Sequence, residues 1–331
     1  MNPQFPVHIA GTGSYVPAQV LSNAHFISYL DTSEEWIRTR TGIRERRTAE
    51  ARETTATMGA EAARAALRDA GRSIDEVDLI VCATATGDCP FPATATFIQG
   101  ALSPTRPIPA FDVGAACAGF LFGTAIAVGM LTSRVYRRAL VIGAETLTRF
   151  ADMNDRTTCV LFGDGAGAAV LERKDDSDSG VLYNCLGCDG TKAEYIWVPA
   201  GGSRLPASPT TVAERLHFLR MRGREVFKFA VLKMQELIDE ALASTGTTAK
   251  DIAMLIPHQS NLRIIESVRE RMGLPAEKVS VTIDRYGNTS AASIPIALDE
   301  ARRDGRLKKG DLVLMVAIGA GLAWGVMMIR L

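Results

Sequence analysis

Three runs of the sequence, at residues 79–86, 138–143 and 312–318, are apolar over most of their length. They lack the polar–apolar alternation of a strand that has one face in water. Continuous apolar strands are typical of parallel sheets whose two faces are both covered. Amphipathic helical patterns at 57–71 and 223–244 precede such strands. We therefore predict an α/β protein built on buried sheets.

Length and composition exclude several classes of protein. At 331 residues the chain exceeds the size that one hydrophobic core usually serves, so two coupled halves are expected. Lys plus Arg and Asp plus Glu both number 37, which leaves no net charge to attract nucleic acid. Six cysteines in a chain of this size indicate reduced thiols. Because a signal-peptide pattern and a long apolar span are missing, we expect a cytoplasmic protein without a membrane or nucleic-acid partner.

The two halves of the chain have similar patterns. Each runs from a helix to a buried strand, a loop and a second helix, and then to a predicted hairpin with a Gly-rich turn, at 163–167 and at 319–321. The turn at 163–167 lacks the spacing of a dinucleotide-binding loop. The polar stretch 174–180 separates the halves, so we expect domains at 1–175 and 176–331. This pattern indicates a duplicated α/β unit.

Three candidate site residues each follow a predicted strand. Cys117 lies in a turn of small residues before an apolar helix, where the helix dipole favours a thiolate. His258 and Asn288 follow two strands of the second half. Taken alone, each has a structural alternative: a buried cysteine, a core histidine and a turn residue. Because ligand sites lie at the carboxyl ends of such strands, the three are placed to meet between the halves.

Two further motifs each leave alternatives open. Trp36 stands beside a cluster of five arginines. The cluster is either a solvated charged face or a grip on an anionic, planar ligand, with Arg for phosphate and Trp for stacking. Cys185 and Cys188 form a C-x-x-C, which raises zinc or redox chemistry. No second Cys or His pair follows in the sequence, so we expect no metal site there.

Taken together, five motifs resemble the thiolase-fold condensing enzymes, and among them most closely the β-ketoacyl-[acyl carrier protein] synthase III family. The motifs occur in the family's order and cover nearly the whole chain. They are residues 31–37 with 40–46, 112–120, 162–167, 256–261 and 286–291. The resemblance implies thiolase-like duplicated α/β halves that form a five-layer αβαβα sandwich.

The resemblance also implies a ping-pong acyl transfer without a cofactor. Cys117 would take an acyl group from acyl-CoA, and malonyl-[acyl carrier protein] would then lose CO2 and attack the thioester. His258 and Asn288 would donate hydrogen bonds to the enolate, as such a charge requires. The backbone N–H groups of Cys117 and Ala320 would form the oxyanion hole of the acyl transfer. An Ala at position 320 in place of Gly keeps that N–H.

The same matching implies binding roles for residues outside the catalytic set. Trp36 would stack on the CoA adenine, with Arg156 on its other face. Arg40 and Thr41 would meet the CoA phosphates, and Asn261 would hold the substrate arm.

A homodimer and a carrier-protein surface are implied as well. Phe91 would cross the dimer interface into the partner's acyl pocket, which Leu147 and Phe162 would line. The basic patch for the acidic acyl carrier protein would consist of Lys228, Arg263 and Arg271. Glu270 departs from the family pattern, in which a basic residue is common, and puts the strength of that docking in question.

Other classes remain open at the level of sequence. A degradative thiolase needs a second cysteine near 318–321, which has none, and the elongating synthases use a His where this chain has Asn288. A chalcone-synthase-like or special-metabolite acyltransferase also uses Cys, His and Asn. A non-catalytic acyl-CoA or carrier-protein binding module, or a zinc or redox protein, are the alternatives from other classes.

Overall fold

Two sheets of the same topology form the framework of the computed structural model, which describes residues 4–175 and 178–331. The strands, in chain order, are β1 (Val7–Tyr15), β2 (Val20–Ser22), β3 (Glu45–Arg47), β4 (Leu79–Ala83), β5 (Ala110–Val113), β6 (Arg138–Thr146), β7 (Asp164–Arg173), β8 (Gly180–Cys188), β9 (Ile196–Trp197), β10 (Arg220–Met221), β11 (Met254–Pro257), β12 (Leu312–Gly319) and β13 (Ala323–Arg330).

The strand order repeats from one sheet to the other. The first sheet has the order β1-β7-β6-β4-β5, and the second β8-β13-β12-β11. In each, the first two pairs are antiparallel and the next is parallel. A parallel bridge between Leu255 and Val279 takes the place that β5 has in the first sheet. This correspondence supports the predicted duplication.

Helices fill the layers on both sides of the sheets. They are α1 (Asn23–Ile27), α2 (Glu34–Thr41), α3 (Thr55–Ala70), α4 (Thr94–Leu102), α5 (Gly119–Thr132), α6 (Pro209–Ala213), α7 (Gly223–Thr245), α8 (Leu262–Met272), α9 (Ile283–Tyr286) and α10 (Ser293–Arg303). Short 3-10 turns precede two of them, at Ala116–Ala118 before α5 and at Ser290–Ala292 before α10.

Three of the four apolar cores formed by the described residues fill the spaces between five layers. The central core joins α5 and α10 to strands of both sheets, through residues such as Leu121 and Leu298. An outer core packs α3 on the first sheet, and another packs α7 and α8 on the second. α5 is apolar around its whole circumference, as a helix between two sheets must be. The structure therefore has the five-layer αβαβα arrangement that the resemblance implies.

The Gly-rich stretch 163–167 corrects one prediction. It is not a hairpin turn, because β7 starts at Asp164 and runs straight through it. Its glycines instead allow the second half to pack closely: a Cβ on Gly167 would lie 2.6 Å from the backbone nitrogen of Ile296 in α10. The second predicted hairpin is confirmed, since β12 and β13 pair directly across the turn after Gly319.

The predicted division between 175 and 176 falls between the sheets. β7 ends at Arg173 and β8 begins at Gly180, so each sheet takes its strands from one half of the chain. Asp176 and Ser177 lie outside the described residues. The boundary itself remains a prediction.

Candidate active site

A cavity of about 340 Å³ opens where strands of the two sheets end. Cys117, His258, Asn288 and Ala320 all line it. The first of these follows β5, the second follows β11, and the last lies in the turn after β12. The structure thus brings the predicted catalytic set together in one cavity between the halves.

Two strained residues frame this cavity. Ala116, directly before Cys117, has φ +44°, and Ser290, two residues after Asn288, has φ +46°. Each is the first residue of a 3-10 turn that leads into a central helix. Non-glycine residues in this left-handed region carry strain that is common at functional sites. The two turns are therefore equivalent parts of the duplicated halves, and they face each other across the site.

The environment of Cys117 corrects the expectation of an easily formed thiolate. Although the sulfur borders the cavity, burial and, to a smaller extent, the charge of Glu145 raise the pKa of the Cys117 thiol to about 12. A hydrogen bond from Ser290 acts in the opposite direction. The position before α5 is as predicted. Desolvation nevertheless dominates, so the resting residue is a thiol.

His258 is held as a neutral imidazole. It is almost fully buried, and burial lowers its pKa to about 3. Its backbone N–H donates to the Val316 carbonyl at 2.8 Å, and Nδ1 lies 2.7 Å from the Ser293 hydroxyl. Nε2 is therefore the ring nitrogen left for the cavity.

The backbone of Asn288 is anchored through both its N–H group and its carbonyl group. Its backbone N–H donates to the Leu161 carbonyl at 2.8 Å, and its carbonyl accepts from the Gly163 N–H at 3.1 Å. The side-chain Oδ1 accepts the N–H of Ser290 at 2.9 Å. This bond fixes the orientation of the amide and leaves its NH2 group as the donor toward the cavity.

The turn after β12 lies directly against the nucleophile. A Cβ on Gly319 would be 2.7 Å from the backbone nitrogen of Cys117. The next residue, Ala320, lines the cavity, and within the described part of the chain its N–H has no hydrogen-bond partner. An unpaired N–H that borders the same cavity as the nucleophile is what an oxyanion hole requires.

The predicted acyl-pocket residues divide into two groups. Leu147 and Phe162 are buried and line the same cavity as Cys117. Phe91 lies elsewhere, in the loop before α4, with 85% of its surface exposed. Phe91 is therefore separate from the cavity that Leu147 and Phe162 line.

The predicted CoA-binding residues lie along α2 and the rim of the cavity. The guanidinium carbons of Arg40 and Arg156 lie 4.9 and 5.5 Å from the centre of the Trp36 ring. Arg156 also pairs with the Asp31 carboxylate at 3.0 Å. Asn261 lines the cavity, caps α8 and donates to the Arg40 carbonyl at 2.9 Å, which links this cluster to the site.

Thr41 is not brought to this surface. Its side chain is 4% exposed, and its hydroxyl donates to the Ile37 carbonyl at 2.6 Å while accepting the N–H of Ile43 at 3.0 Å. These bonds close the end of α2, and Gly42 follows with φ +83°. The expected contact of Thr41 with CoA phosphates is therefore unsupported by the geometry, and its role here is to end the helix.

The predicted basic patch is spread along two helices. Lys228 on α7 and Arg263 at the start of α8 are exposed, and Arg263 lies over the Phe227 ring at 5.3 Å, beside the cavity. Arg271 lies at the far end of α8, about 12 Å along the helix axis from Arg263. It pairs with Asp239 at 2.8 Å. Arg263 therefore lies beside the cavity, whereas Arg271 lies away from it.

Sequence reasoning missed a polar group behind Cys117. It comprises Glu145 near the end of β6, Thr86, Ser290 and Ser293. The signal for Glu145 was a single acidic residue inside an otherwise apolar strand. Hydroxyl residues of this kind are common in loops, so their sequence positions alone carried no comparable signal.

Solved structures with this fold define the class. The crystal structure of β-ketoacyl-[acyl carrier protein] synthase III from Thermus thermophilus superposes with a TM-score of 0.91 at 44% identity, covering 98% of this chain and 99% of that one. The priming β-ketosynthase of the R1128 polyketide pathway superposes with a TM-score of 0.90 at 37% identity, covering 100% and 98%. The fold is that of a thiolase-fold condensing enzyme.

Sequence relatives narrow the class to a family. A family model described as 3-oxoacyl-[acyl-carrier-protein] synthase III matches residues 111–190, and the model of its C-terminal part matches 242–331. The β-ketoacyl-[acyl-carrier-protein] synthase III of Caldanaerobacter subterraneus subsp. tengcongensis is 51% identical over 322 residues, or 97% of each chain. The chain belongs to the β-ketoacyl-[acyl carrier protein] synthase III family of acyltransferases.

In the part of the chain that the structure describes, no helix is long and apolar enough to cross a membrane. Cys185 and Cys188 both lie on β8 with free thiols. Because they are three positions apart on a strand, their side chains point to opposite faces of the sheet. They are therefore not placed to bind one metal ion together.

Proposed function

We propose that this enzyme condenses an acyl-CoA primer, of which acetyl-CoA is the first candidate, with malonyl-[acyl carrier protein] to give 3-oxoacyl-[acyl carrier protein], the step that initiates fatty-acid synthesis. The observation that carries the proposal is the meeting of Cys117, His258, Asn288 and the free Ala320 N–H in one cavity. The family to which the chain belongs supports the same reaction.

In the first half-reaction, Cys117 attacks the thioester carbon of the primer. The negative charge that develops on the carbonyl oxygen is stabilised by the N–H groups of Cys117 and Ala320. Two preorganised backbone donors are effective here because they need no reorganisation as the charge forms. CoA then leaves as the thiol, and the acyl group stays on the sulfur.

In the second half-reaction, malonyl-[acyl carrier protein] loses CO2 and leaves an enolate. Nε2–H of His258 and the NH2 group of Asn288 donate to its oxygen. A neutral histidine suits this role, since it donates at any working pH without a change of charge. The carbanion attacks the acyl group on Cys117 and frees the thiol.

The positions of the aromatic and basic side chains outside the cavity also suggest where the substrate and the protein partner bind. We assign the Trp36, Arg40 and Arg156 cluster to the CoA nucleotide, and Lys228 and Arg263 to the acidic carrier protein. We further propose a homodimer in which the exposed Phe91 enters the partner's acyl pocket. Arg271 pairs with Asp239 and the Thr41 hydroxyl is bonded within α2, so neither is assigned to these surfaces. The free cysteines support a cytoplasmic location.

Intact-protein mass measurement tests the proposal directly. Brief exposure to a panel of acyl-CoAs should add one acyl group to the wild type and none to Cys117→Ala. Addition of malonyl-[acyl carrier protein] should then remove the acyl group and yield the 3-oxoacyl product. Absence of an adduct with every primer, or an adduct that persists in Cys117→Ala, would refute the assignment.

A special-metabolite priming ketosynthase is the second candidate. The similarity to the R1128 priming enzyme favours it, at 37% identity over the whole chain. The same mass measurement separates the two, because the preferred primer is read from the adduct mass. Acetyl or short branched adducts support fatty-acid initiation, whereas strong preference for an unusual acyl group supports the second candidate.

A further inference from the structure

One arginine is completely buried although it carries a positive charge. Arg46, the middle residue of β3, is 0% exposed. Its guanidinium donates from both NH2 groups to Asn23 Oδ1 at 2.9 Å, to the Leu21 carbonyl at 2.9 Å and to the Val160 carbonyl at 2.7 Å. The guanidinium carbon lies 4.7 Å from the centre of the Phe26 ring. All of these acceptors are neutral.

A buried cation of this kind is costly to keep. Among the described residues, no carboxylate hydrogen-bonds to Arg46. Burial lowers the pKa of the guanidinium to about 10, so it is still charged at neutral pH. Replacing a buried charge with an apolar side chain of similar size often removes a destabilising cost. The hydrogen bonds of Arg46 therefore indicate a task that an apolar residue would not perform.

The segment that accepts from Arg46 also holds a catalytic residue. A short parallel bridge fixes the backbone of Asn288. Its N–H donates to the Leu161 carbonyl at 2.8 Å, and its carbonyl accepts the Gly163 N–H at 3.1 Å. The Val160 carbonyl, to which the guanidinium donates, belongs to the preceding residue of the same segment. The carbonyl bound by Arg46 is thus next in the chain to the carbonyl bound by Asn288.

The aliphatic part of Arg46 lies against both chains of this bridge. A Cβ added to Gly163 would be 3.1 Å from the Cβ of Arg46, and one added to Gly287 would be 3.0 Å from it. Gly287 directly precedes Asn288 and has φ +66°. Arg46 is therefore packed against the backbone on each side of the bridge, as well as bonded to one of its chains.

We propose that Arg46 is a positioning residue that holds the Asn288 amide where it donates to the enolate. The inference rests on the proposed function, in which Asn288 stabilises the enolate of the second half-reaction. Within the described chain Arg46 does not border the cavity, so it acts through the backbone of residues 160–163.

The other catalytic groups have separate supports. His258 is fixed by hydrogen bonds to β12 and to the first residue of α10. Cys117 follows β5 and directly precedes the residues that start α5. In the part of the chain that the structure describes, neither support includes a hydrogen bond from Arg46. Loss of Arg46 should therefore affect Asn288, and with it the second half-reaction, selectively.

The test follows each half-reaction by intact-protein mass. Single-turnover acylation by saturating acetyl-CoA reports on Cys117. Loss of the acetyl adduct after addition of saturating malonyl-[acyl carrier protein] reports on the enolate chemistry. Acetyl is chosen as the smallest primer because Phe162, in the same segment, lines the cavity.

Arg46→Met keeps an unbranched side chain but loses every donor. It should slow the second step by about 100-fold, the scale of a misplaced catalytic group, and leave the first step within about threefold of the wild type. Arg46→Lys keeps the charge, but an ammonium lacks the fork geometry that reaches three acceptors at once, so we expect a selective loss of about tenfold.

A double-mutant cycle shows how the effect reaches the site. Asn288→Ala has no amide left to position, so adding Arg46→Met to it should slow the second step by less than about threefold more. An arginine that supported only the fold would add its full loss in both backgrounds. Hydrogen exchange gives an independent readout: in Arg46→Lys it should become faster in peptides covering 160–163 and 286–289 and stay unchanged in α5.

Arg138→Met is the matched control. Arg138 begins β6, its side chain is 14% exposed, and it pairs with the Glu172 carboxylate at 2.9 Å. Loss of this pair removes another largely buried arginine from the first sheet without touching the bridge. The variant should be less stable to urea, with both half-reactions at the wild-type rate.

The outcomes separate the two proposals. A wild-type second step in Arg46→Met, equal slowing of both steps, or a full additional loss in Asn288→Ala would overturn the positioning role. Failure of both Arg46 variants to fold would overturn it as well, since Arg46 would then support the whole fold. A wild type that forms no acyl adduct, or an Asn288→Ala enzyme that condenses as fast as the wild type, would instead refute the proposed function.

Discussion

Nδ1 of His258 lies 2.7 Å from the hydroxyl of Ser293, the first residue of α10. This bond links the end of a strand in the second sheet to the central helix layer. A neutral imidazole carries one N–H. If Nε2–H is to donate to an enolate, Nδ1 must be the acceptor, so the Ser293 hydroxyl must donate to it. The serine thus selects the tautomer that the proposed chemistry needs.

We expect Ser293→Ala to slow decarboxylation of a malonyl thioester by about tenfold, because one such hydrogen bond stabilises by roughly 1–1.5 kcal/mol. Acylation of Cys117 should change little, since it does not use His258 in this scheme. Ser293→Thr keeps the hydroxyl and should recover most of the rate. Equal losses in both half-reactions would show that the serine supports the fold rather than the tautomer.

Gly319→Ala should damage the first half-reaction. The added Cβ would lie 2.7 Å from the Cys117 nitrogen and 3.0 Å from the Ala118 nitrogen, and backbone atoms cannot rotate away. We expect the nucleophile turn to shift and acylation to fall at least about 100-fold, comparable to the loss of an oxyanion-hole donor. Gly114→Ala is the matched control, because nothing lies within 4 Å of its added Cβ. A wild-type acylation rate in Gly319→Ala would contradict this geometry.

The placement of Cys117 and His258 was predictable because each follows a strand, and the carboxyl ends of strands in an α/β fold form one surface. The strand expected before Asn288 is reduced to an isolated bridge at Val279, and the short helix α9 leads to Asn288 instead. Glu145 and Ser290 are different. They meet only when the two halves stack, and that contact depends on the packing of the two halves and not on any pattern within one half.

Two expectations failed for local physical reasons. Glycines at 163–167 suggested a turn, yet they serve close packing, with Gly167 against α10 inside a continuous strand. Cys117 was expected to ionise readily beside α5, yet its burial outweighs the favourable helix end. Neither the closeness of another segment nor the extent of burial can be read from the residues next to a position in the sequence.

Burial of His258 should make stability depend on pH in a defined direction. Its pKa is about 3 in the folded protein, below the value of 6.5 expected when unfolded. The unfolded state therefore binds the extra proton between these values, and folding loses stability as the pH falls below about 6.5. The loss is about 1.4 kcal/mol per pH unit, or about 2 kcal/mol at pH 5.

Comparison with His258→Gln isolates this effect. Glu145 has the opposite sign, since its raised pKa favours the folded state at low pH and loses that contribution as the pH rises through about 7. Both proteins contain Glu145, so it cancels in the difference. Urea unfolding at pH 7.5 and 5 should show the wild type losing about 2 kcal/mol relative to the variant. A pH-independent difference would mean that His258 is not held neutral.

Trp36→Ala tests the assignment of the CoA nucleotide to α2. The ring lies outside the catalytic cavity with Arg40 and Arg156 close to it, so it should affect binding and not chemistry. Stacking of a base on an aromatic ring is worth about 1–3 kcal/mol. We expect the KM for acetyl-CoA to rise at least about fivefold while kcat and the KM for malonyl-[acyl carrier protein] stay near the wild type.

Trp36→Phe supplies the matched control, because a smaller aromatic ring keeps a stacking face and should lie between the wild type and the alanine variant. Acetyl-pantetheine, which lacks the nucleotide, provides a second comparison: its KM should be the same in all three proteins. If Trp36→Ala raised the KM for acetyl-pantetheine as much as for acetyl-CoA, the tryptophan would act on the cavity itself. The nucleotide would then have to be assigned to another surface.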